Sequence, residues 1–158
     1  MKKLINSLLI SLFIKNKIIN ISSKSMNWST IKRFHLNAPK KNLFFRTHDI
    51  QAKYEQHKNT LKERNILIDM YIKEKYLKNR LKWIITDNKF PYHIDSNIKH
   101  KILWLDPSIN LNSEIVQKII DRYVNSYKFK YYIYFQNHID CRSVPGIVHY
   151  HIFVTNNN

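Results

Sequence analysis

The order in which helical and strand-like segments follow one another is the sequence feature that most limits the fold. Apolar residues recur every three to four positions in some segments, whereas other short segments are rich in β-branched and aromatic residues. These patterns predict helices over 49–64, 66–77 and 113–127, and strands over 81–86, 100–105, 130–135 and 147–154. Short connections favour a mainly antiparallel sheet with the helices packed on one face, an α+β domain.

The scarcity of glycine and cysteine excludes several classes of protein. The chain has one glycine, Gly146, among 158 residues, and no glycine-rich loop that could bind phosphate in the manner of a P-loop or Rossmann enzyme. The chain has one cysteine, Cys141, so it can form neither an internal disulfide nor the cysteine pair of a structural zinc site. Hydrophobic residues make up 44% of the chain, which is enough for a folded core.

The formal net charge of +16 is concentrated in the first third of the chain. Residues 1–48 contain ten Lys and Arg and no Asp or Glu, whereas residues 49–158 contain seventeen Lys and Arg and eleven acids. The rest of the chain is therefore only mildly basic, and it has no recognisable nucleic-acid-binding motif. For this reason we do not expect nucleic acid to be the main partner.

Charge and periodicity together divide the chain. We expect a basic presequence-like segment or disordered tail over 1–25, an extended lead-in over 26–47, a single α+β domain over 48–155 and a frayed tail over 156–158. The apolar run Leu8 to Ile14 is too short to span a bilayer, and no small-residue cleavage site follows it. The expected location is intracellular, either cytoplasmic or mitochondrial.

The sequence His149-Tyr150-His151 is the strongest local signal of chemistry. Residues two apart on a strand point to the same side, so both imidazoles project together while Val148, Tyr150 and Ile152 point away. Imidazole pairs serve in proton transfer, nucleophilic attack and metal binding. We expect the two histidines to be catalytic and their side of the strand to open toward the preceding loop. Two half-exposed histidines without a function are the competing interpretation.

Two loops contain candidate ligand-binding residues. Asn137, Arg142 and Ser143 precede the last strand and can converge with the histidines at one opening. In the other loop, Phe90 and Tyr92 flank a proline and can form a rigid apolar wall for a planar ring. Taken alone, the sequence favours a simple turn anchored by core aromatics there. The full set of expected ligand-binding residues is Asn88, Phe90, Tyr92, His100, Asn137, Arg142 and Ser143.

Together, the two blocks resemble the N-acetylglucosamine-induced protein family. The shared pattern is N-x-F-P-Y…H-x-x-x-W, followed by N-x(5)-S-V-P-x-I-x-H-x-H, and the resemblance covers 46–155. It is carried by Asn88, Phe90, Pro91, Tyr92, His100, Trp104, Asn137, Ser143, Val144, Pro145, Ile147, His149 and His151. This chain has His138-Ile139 where the family often has two prolines. The resemblance implies no established reaction, and only the family's name points to amino-sugar metabolism.

The order of elements is more distantly similar to the histidine-triad superfamily of nucleotide hydrolases and transferases. Its motif alternates three histidines with apolar residues, and the middle histidine attacks an α-phosphate. Placed on 147–153, the resemblance assigns that role to His149 and the third position to His151. The first position is Ile147 here, and the resemblance implies that its loss weakens phosphoryl chemistry, because the missing imidazole helps to orient its neighbours.

These observations leave several functions open. The first is an enzyme or degenerate enzyme that binds or processes a nucleotide or nucleotide-sugar, a phosphate-bearing ligand, at a histidine-lined pocket. In that case Phe90 and Tyr92 contact the base, and Asn137 and Ser143 the phosphates. The second is a small-molecule binding module without turnover. The third is a metal site in which His138 or His100 joins the histidine pair. The sequence specifies no cofactor and no oligomeric state.

Overall fold

The computed structural model describes residues 24–37, 44–78 and 81–157, so the predicted tail 1–25 lies almost entirely outside the described residues. A short 3₁₀ turn, Ile139–Cys141, lies between the last two strands. The helices and strands follow in the order α1 (Trp28–Asn37), α2 (His48–Glu63), α3 (Ile68–Tyr76), β1 (Trp83–Asp87), β2 (Lys99–Leu105), α4 (Ser113–Ser126), β3 (Tyr131–Phe135) and β4 (His149–Thr155).

The four strands form one sheet in the order β1-β2-β4-β3, and every neighbouring pair is antiparallel. The two central strands, β2 and β4, place Trp104 opposite His149 and Ile102 opposite His151. Directly opposite residues of an antiparallel pair share a face of the sheet. The predicted α+β class with an antiparallel sheet is confirmed, and both histidines lie on the face that contains Trp104.

Helices cover both faces of the sheet, which corrects the prediction that they share one face. Helix α4 packs its apolar stripe on Leu103, Leu105, Ile152 and Val154. The opposite face is covered by α1, through Trp28 and Ile31, and by α3, through Ile72 and Leu77. The reason is that nearly every residue of β2 and β4 is buried, so neither side of these strands can face water.

Side-chain caps and a positive backbone dihedral set the ends of the predicted helices. Thr47 accepts a hydrogen bond from the backbone N–H of Ile50 at the start of α2, and Asn112 does the same for Ile115 at the start of α4. Asn65, with φ of 54°, follows the end of α2 in the left-handed conformation that asparagine tolerates. The cap at Asn112 agrees with the predicted helix start at 113, and Asn65 lies at the predicted boundary between the helices over 49–64 and 66–77.

The prediction of an extended lead-in over 26–47 is wrong, because residues 28–37 form helix α1. Asn27 caps this helix by accepting a hydrogen bond from the backbone N–H of Thr30. Ile31 is fully buried, and Phe44 stacks on Phe153 of β4 with ring centroids 5.7 Å apart. The core therefore includes residues well before 48. Over the residues that the structure describes, no helix is both long and apolar enough to cross a membrane.

Replacing Ile31 with alanine tests whether α1 belongs to the folded domain. Because the side chain is fully buried, we expect the Ile31→Ala change to lower the free energy of unfolding by about 2–5 kcal/mol. The neighbouring Lys32 is exposed, so Lys32→Ala should change it by less than about 0.5 kcal/mol. Urea unfolding followed by circular dichroism measures both. Equal stability of the two variants would show that α1 is not part of the core.

Candidate functional site

The two histidines of β4 are buried rather than open to solvent. His149 and His151 are each 5% exposed, whereas Val148, which was expected to point inward, is 41% exposed. Chain segments that precede β2 cover the histidine side of the sheet and bring Phe44 and Tyr92 against Phe153. The expectation of an open histidine face is therefore wrong, and the cover is formed by segments that short-range pattern could not place there.

His151 belongs to a hydrogen-bonded network inside the core. Its Nδ1 lies 2.9 Å from His100 Nε2, and its Nε2 lies 3.1 Å from the Asn137 amide. The same amide nitrogen lies 3.1 Å from the Tyr92 hydroxyl, and the backbone N–H of Tyr92 donates to His100 Nδ1 over 3.3 Å. Four of the sequence-predicted site residues, Tyr92, His100, Asn137 and His151, thus form one buried cluster, which we call the histidine network.

The proton positions in the histidine network follow from the one fixed donor. The backbone N–H of Tyr92 donates to His100 Nδ1, so a neutral His100 bears its proton on Nε2 and donates it to His151 Nδ1. His151 then bears its own proton on Nε2, facing Asn137. A half-turn of the Asn137 amide presents Oδ1 at that place, where it accepts from both His151 and the Tyr92 hydroxyl. The ring nitrogens of both histidines and the Tyr92 hydroxyl then each have a partner.

Burial keeps both rings of the network neutral. Desolvation lowers the pKa of His100 to about 3, and the positive charge of Arg46 acts in the same direction. Desolvation also holds the pKa of His151 well below its usual value, and the neighbouring His100 and His149 add to the effect. Two neutral, fully hydrogen-bonded imidazoles are typical of a structural polar cluster rather than of a reactive pair.

His149 differs from His151 because one of its ring nitrogens is uncommitted. Its Nδ1 lies 2.8 Å from the carbonyl oxygen of Ile147, which can only accept, so Nδ1 carries the proton. Nε2 then has a free lone pair, and among the described residues it has no hydrogen-bond partner. Burial lowers the pKa of His149 more than its hydrogen bond to Ile147 raises it, so the ring is neutral at pH 7. The ring also packs against Trp104 with centroids 5.1 Å apart.

A cleft lined largely by aromatic side chains lies beside His149. Its cavity volume is about 70 Å³. The space between its walls, with the open mouth included, is about 600 Å³. The stacked rings of Tyr76 and Trp104 form one flat side, with centroids 5.9 Å apart and planes 7° apart. Tyr54 and Phe90 meet edge to face at 5.3 Å on another side. The lining residues include Arg46, Tyr54, His57, Tyr71, Tyr76, Asn88, Lys89, Phe90, Trp104, Ser143, His149 and His151.

The remaining sequence-predicted residues divide between the cleft and its supports. Phe90 and Asn88 line the cleft, and Asn88 holds the turn by accepting a hydrogen bond from the Phe90 backbone N–H over 2.9 Å. Ser143 lies exposed at the cleft mouth. Arg142 does not line the cleft. It donates to the carbonyl of Asn137 over 3.0 Å and therefore braces the loop that supplies the Asn137 amide.

Several cleft residues were not identified as functional from the sequence. Tyr54 and His57 lie in the helix predicted over 49–64 and were not among the expected site residues, yet they line the cleft. The signal in the sequence was their spacing of three, which places both side chains on one side of the predicted helix, near other aromatic residues. Arg46 donates through Nε to the Phe90 carbonyl over 3.0 Å. No local pattern distinguishes it, because its role depends on a segment 44 residues away.

The structure offers no support for the alternative of a metal site. Within the described ranges, no group of three or more His, Cys, Asp or Glu side chains is placed to hold a metal ion. His138, one of the suggested third ligands, lies on the surface and pairs with Asp140 at 3.2 Å. His100, the other, has both ring nitrogens engaged in the histidine network.

The neutral histidines should make stability depend on pH. His100 has a usual pKa of 6.5 when unfolded and about 3 when folded, so between these values only the unfolded chain takes up the proton. The free energy of unfolding should therefore fall as pH drops from 6.5, by up to about 1.4 kcal/mol per pH unit for each such histidine. In urea unfolding from pH 7 to 4, His100→Asn should show a shallower dependence than wild type. The exposed His48→Gln serves as control, and an unchanged slope in His100→Asn would contradict this origin.

Comparison with known proteins agrees with the fold and assigns the family. The solved structure titled "Crystal Structure of HTC1" has a TM-score of 0.58 and 18% identity, and the match covers 83% of this chain and 85% of that chain, which shows a shared fold. "N-acetylglucosamine-induced protein 1" of Candida albicans is 24% identical over 80% of this chain and 67% of its own length. This match confirms the resemblance to that family, whereas the histidine-triad resemblance stays a prediction. The family described as "Protein of unknown function (DUF3605)" matches residues 27–155, and the chain therefore belongs to it.

Proposed function

We propose that the chain binds a small phosphate-bearing ligand, a nucleotide or nucleotide-sugar, in the aromatic cleft, with His149 contacting the phosphate. The observation that carries this proposal is the state of the His149 ring. Its Nδ1 is fixed on the Ile147 carbonyl, while Nε2 has no hydrogen-bond partner among the described residues, and the ring lines the cleft. A neutral imidazole oriented in this way can accept a hydrogen bond, or take up a proton and donate to a phosphate oxygen.

The shape of the cleft fits a ligand with a flat or ring-shaped part. The cavity volume of about 70 Å³ is below the range of small-molecule sites, so most of a nucleotide would lie in the open mouth of the cleft. Phe90, Tyr54 and the Tyr76–Trp104 pair offer aromatic faces and edges for a base or a sugar ring.

The contacts proposed now differ from those expected from the sequence. Asn137 is hydrogen-bonded to His151 and to Tyr92, and Tyr92 is also bonded to His100, so both residues hold the site rather than contact the ligand. Phe90 keeps its expected role against a ring, with Trp104 in place of Tyr92 as the second aromatic. Ser143, at the mouth, remains a candidate contact to phosphate.

The matched relative narrows the choice of compounds to test. The name of this relative describes a protein induced by N-acetylglucosamine. For this chain, the name supports including amino-sugar nucleotides in a ligand panel. Uridine diphosphate-N-acetylglucosamine, uridine diphosphate and adenosine diphosphate are the phosphorylated members, and uridine and N-acetylglucosamine are the matched neutral ones.

Binding to this panel should depend on His149. We expect at least one phosphorylated compound to bind, and His149→Gln to weaken its affinity roughly tenfold to a hundredfold, because a hydrogen bond to a charged group is lost. Isothermal titration calorimetry measures the affinity, and thermal melting confirms that the variant is folded. His138→Gln, at an exposed histidine outside the cleft, is the control. The proposal would be wrong if His149→Gln and wild type had equal affinities, or if no compound of the panel bound.

A second candidate function, phosphoryl or nucleotidyl transfer, is favoured by the same free lone pair. The lone pair of Nε2 would form a bond to phosphorus while the bond from phosphorus to the leaving oxygen breaks, and that oxygen takes a proton from water. A second water molecule would then cleave the nitrogen–phosphorus bond and restore His149. The side chain of Ile147, which is 1% exposed among apolar neighbours, has no polar group that could assist the reaction. We therefore expect any such turnover to be slow.

Trapping the covalent intermediate separates turnover from binding alone. Incubation with a nucleotide labelled at its α-phosphate should leave label on the protein that acid removes and alkali does not, as for a phosphorus–nitrogen bond. His149→Gln should take up none. If wild type binds the nucleotide but yields neither labelled protein nor product over several hours, the chain is a binding module and the transfer candidate is wrong.

A further inference from the structure

Arg46 places a permanent positive charge in the cleft without a carboxylate to balance it. Its Nε donates to the Phe90 carbonyl, and its Nη1 lies 3.4 Å from the side-chain oxygen of Gln51. Its guanidinium carbon lies 4.3 Å from the centre of the Tyr54 ring. All these partners are neutral, and among the described residues no Asp or Glu lies within ion-pair distance of Arg46. A guanidinium stays charged at any physiological pH, so its charge is available to a ligand.

Two lysines lie near aromatic residues of the cleft. Lys89 lines the cleft, and its Nζ lies 5.1 Å from the centre of the Phe90 ring. Lys75 has its Nζ 3.0 Å from the Tyr71 hydroxyl and 5.2 Å from the centre of the Tyr76 ring, and both of these tyrosines line the cleft. Neither lysine forms an ion pair with a described residue. Their head groups rest on aromatic rings that belong to the cleft.

His57 is a cleft residue whose pKa responds to both lysines. Its ring packs on Tyr71 at 4.9 Å and on Phe90 at 5.3 Å, and it lines the cleft. Burial, followed by the charges of Lys89 and Lys75, lowers its pKa. Asp87, an acid among the cleft residues, is already paired with Lys101. The positive field at this side is therefore not neutralised by the described part of the chain.

We infer that Arg46, Lys75 and Lys89 form a subsite for a polyanionic group, so that the ligand is a diphosphate or a compound with two neighbouring anionic groups. This inference rests on the proposed function for the identity of the cleft, and it goes beyond it by assigning a second anion contact away from His149. Guanidinium and ammonium groups both bind phosphate oxygens, and three such charges suit a group with two or more negative charges.

Pyrophosphate is the probe that isolates this subsite, because it carries the charge without a ring. We expect it to bind wild type, with an affinity that weakens as salt increases. Lys75→Gln and Lys89→Gln should each weaken it roughly three- to tenfold, and the double variant by about the product of the two. Lys118→Gln removes a positive charge on α4, where Lys118 pairs with Glu114, and is the control for net charge.

The test uses the lysine variants rather than an Arg46 variant. Arg46 also anchors Phe90, so replacing Arg46 could disturb the fold. Thermal melting of each variant confirms folding before calorimetry. No binding of pyrophosphate, or binding unchanged in the double lysine variant, would overturn the subsite. If a nucleoside diphosphate loses affinity in His149→Gln but not in the double lysine variant, the proposed function stands and the subsite is wrong. If pyrophosphate depends on the lysines while no nucleotide depends on His149, the subsite stands and the proposed function fails.

Discussion

The hydrogen bond between His100 Nε2 and His151 Nδ1 is the interaction on which the arrangement of the cleft depends. It joins the two central strands through their side chains, and each ring has a second partner in a different loop. Tyr92 approaches His100 from the loop after β1, and Asn137 approaches His151 from the loop after β3. Because unpaired polar groups in a core are costly, each loop can satisfy these rings only in one position. Two segments without regular structure are held in place in this way.

The position of His149 follows from that of His151. Once the ring of His151 is held in the network, the alternation of side chains along β4 places His149 on the same face, two residues nearer the strand start. Trp104 lies opposite, and the Ile147 carbonyl takes up Nδ1. The loop just before β4 lies close to α3. Gly146 is so near the Asp69 carboxylate that a Cβ at this position would overlap it. The chain's one glycine therefore lets the loop pack directly against α3.

Local pattern predicted the elements well wherever a cap and a long apolar stripe occurred together. Asn112 and the stripe of α4 are the best example, because both signals lie within one segment. Helix α1 was missed although Trp28, Ile31 and Phe34 have helical spacing, because the run is short and the burial of these residues comes from packing against Phe153. The burial of the histidines could not be predicted for a related reason. The motif places them on one face, but that face is covered by α1, α3 and the loop with Tyr92, and long-range packing leaves no local signal.

Arg46 links the histidine network to the cleft, and this link separates groups that can respond to a ligand from groups that cannot. Its charge lowers the pKa of His100, but burial is the larger cause, so an anion beside Arg46 would leave His100 and His151 neutral. The pKa of His57 is lowered partly by lysines that the same anion would neutralise. An anionic ligand should therefore promote protonation of His57 at the cleft side while the core beneath keeps its hydrogen bonds unchanged. Such a division lets the site change charge on binding without loosening the network that shapes it.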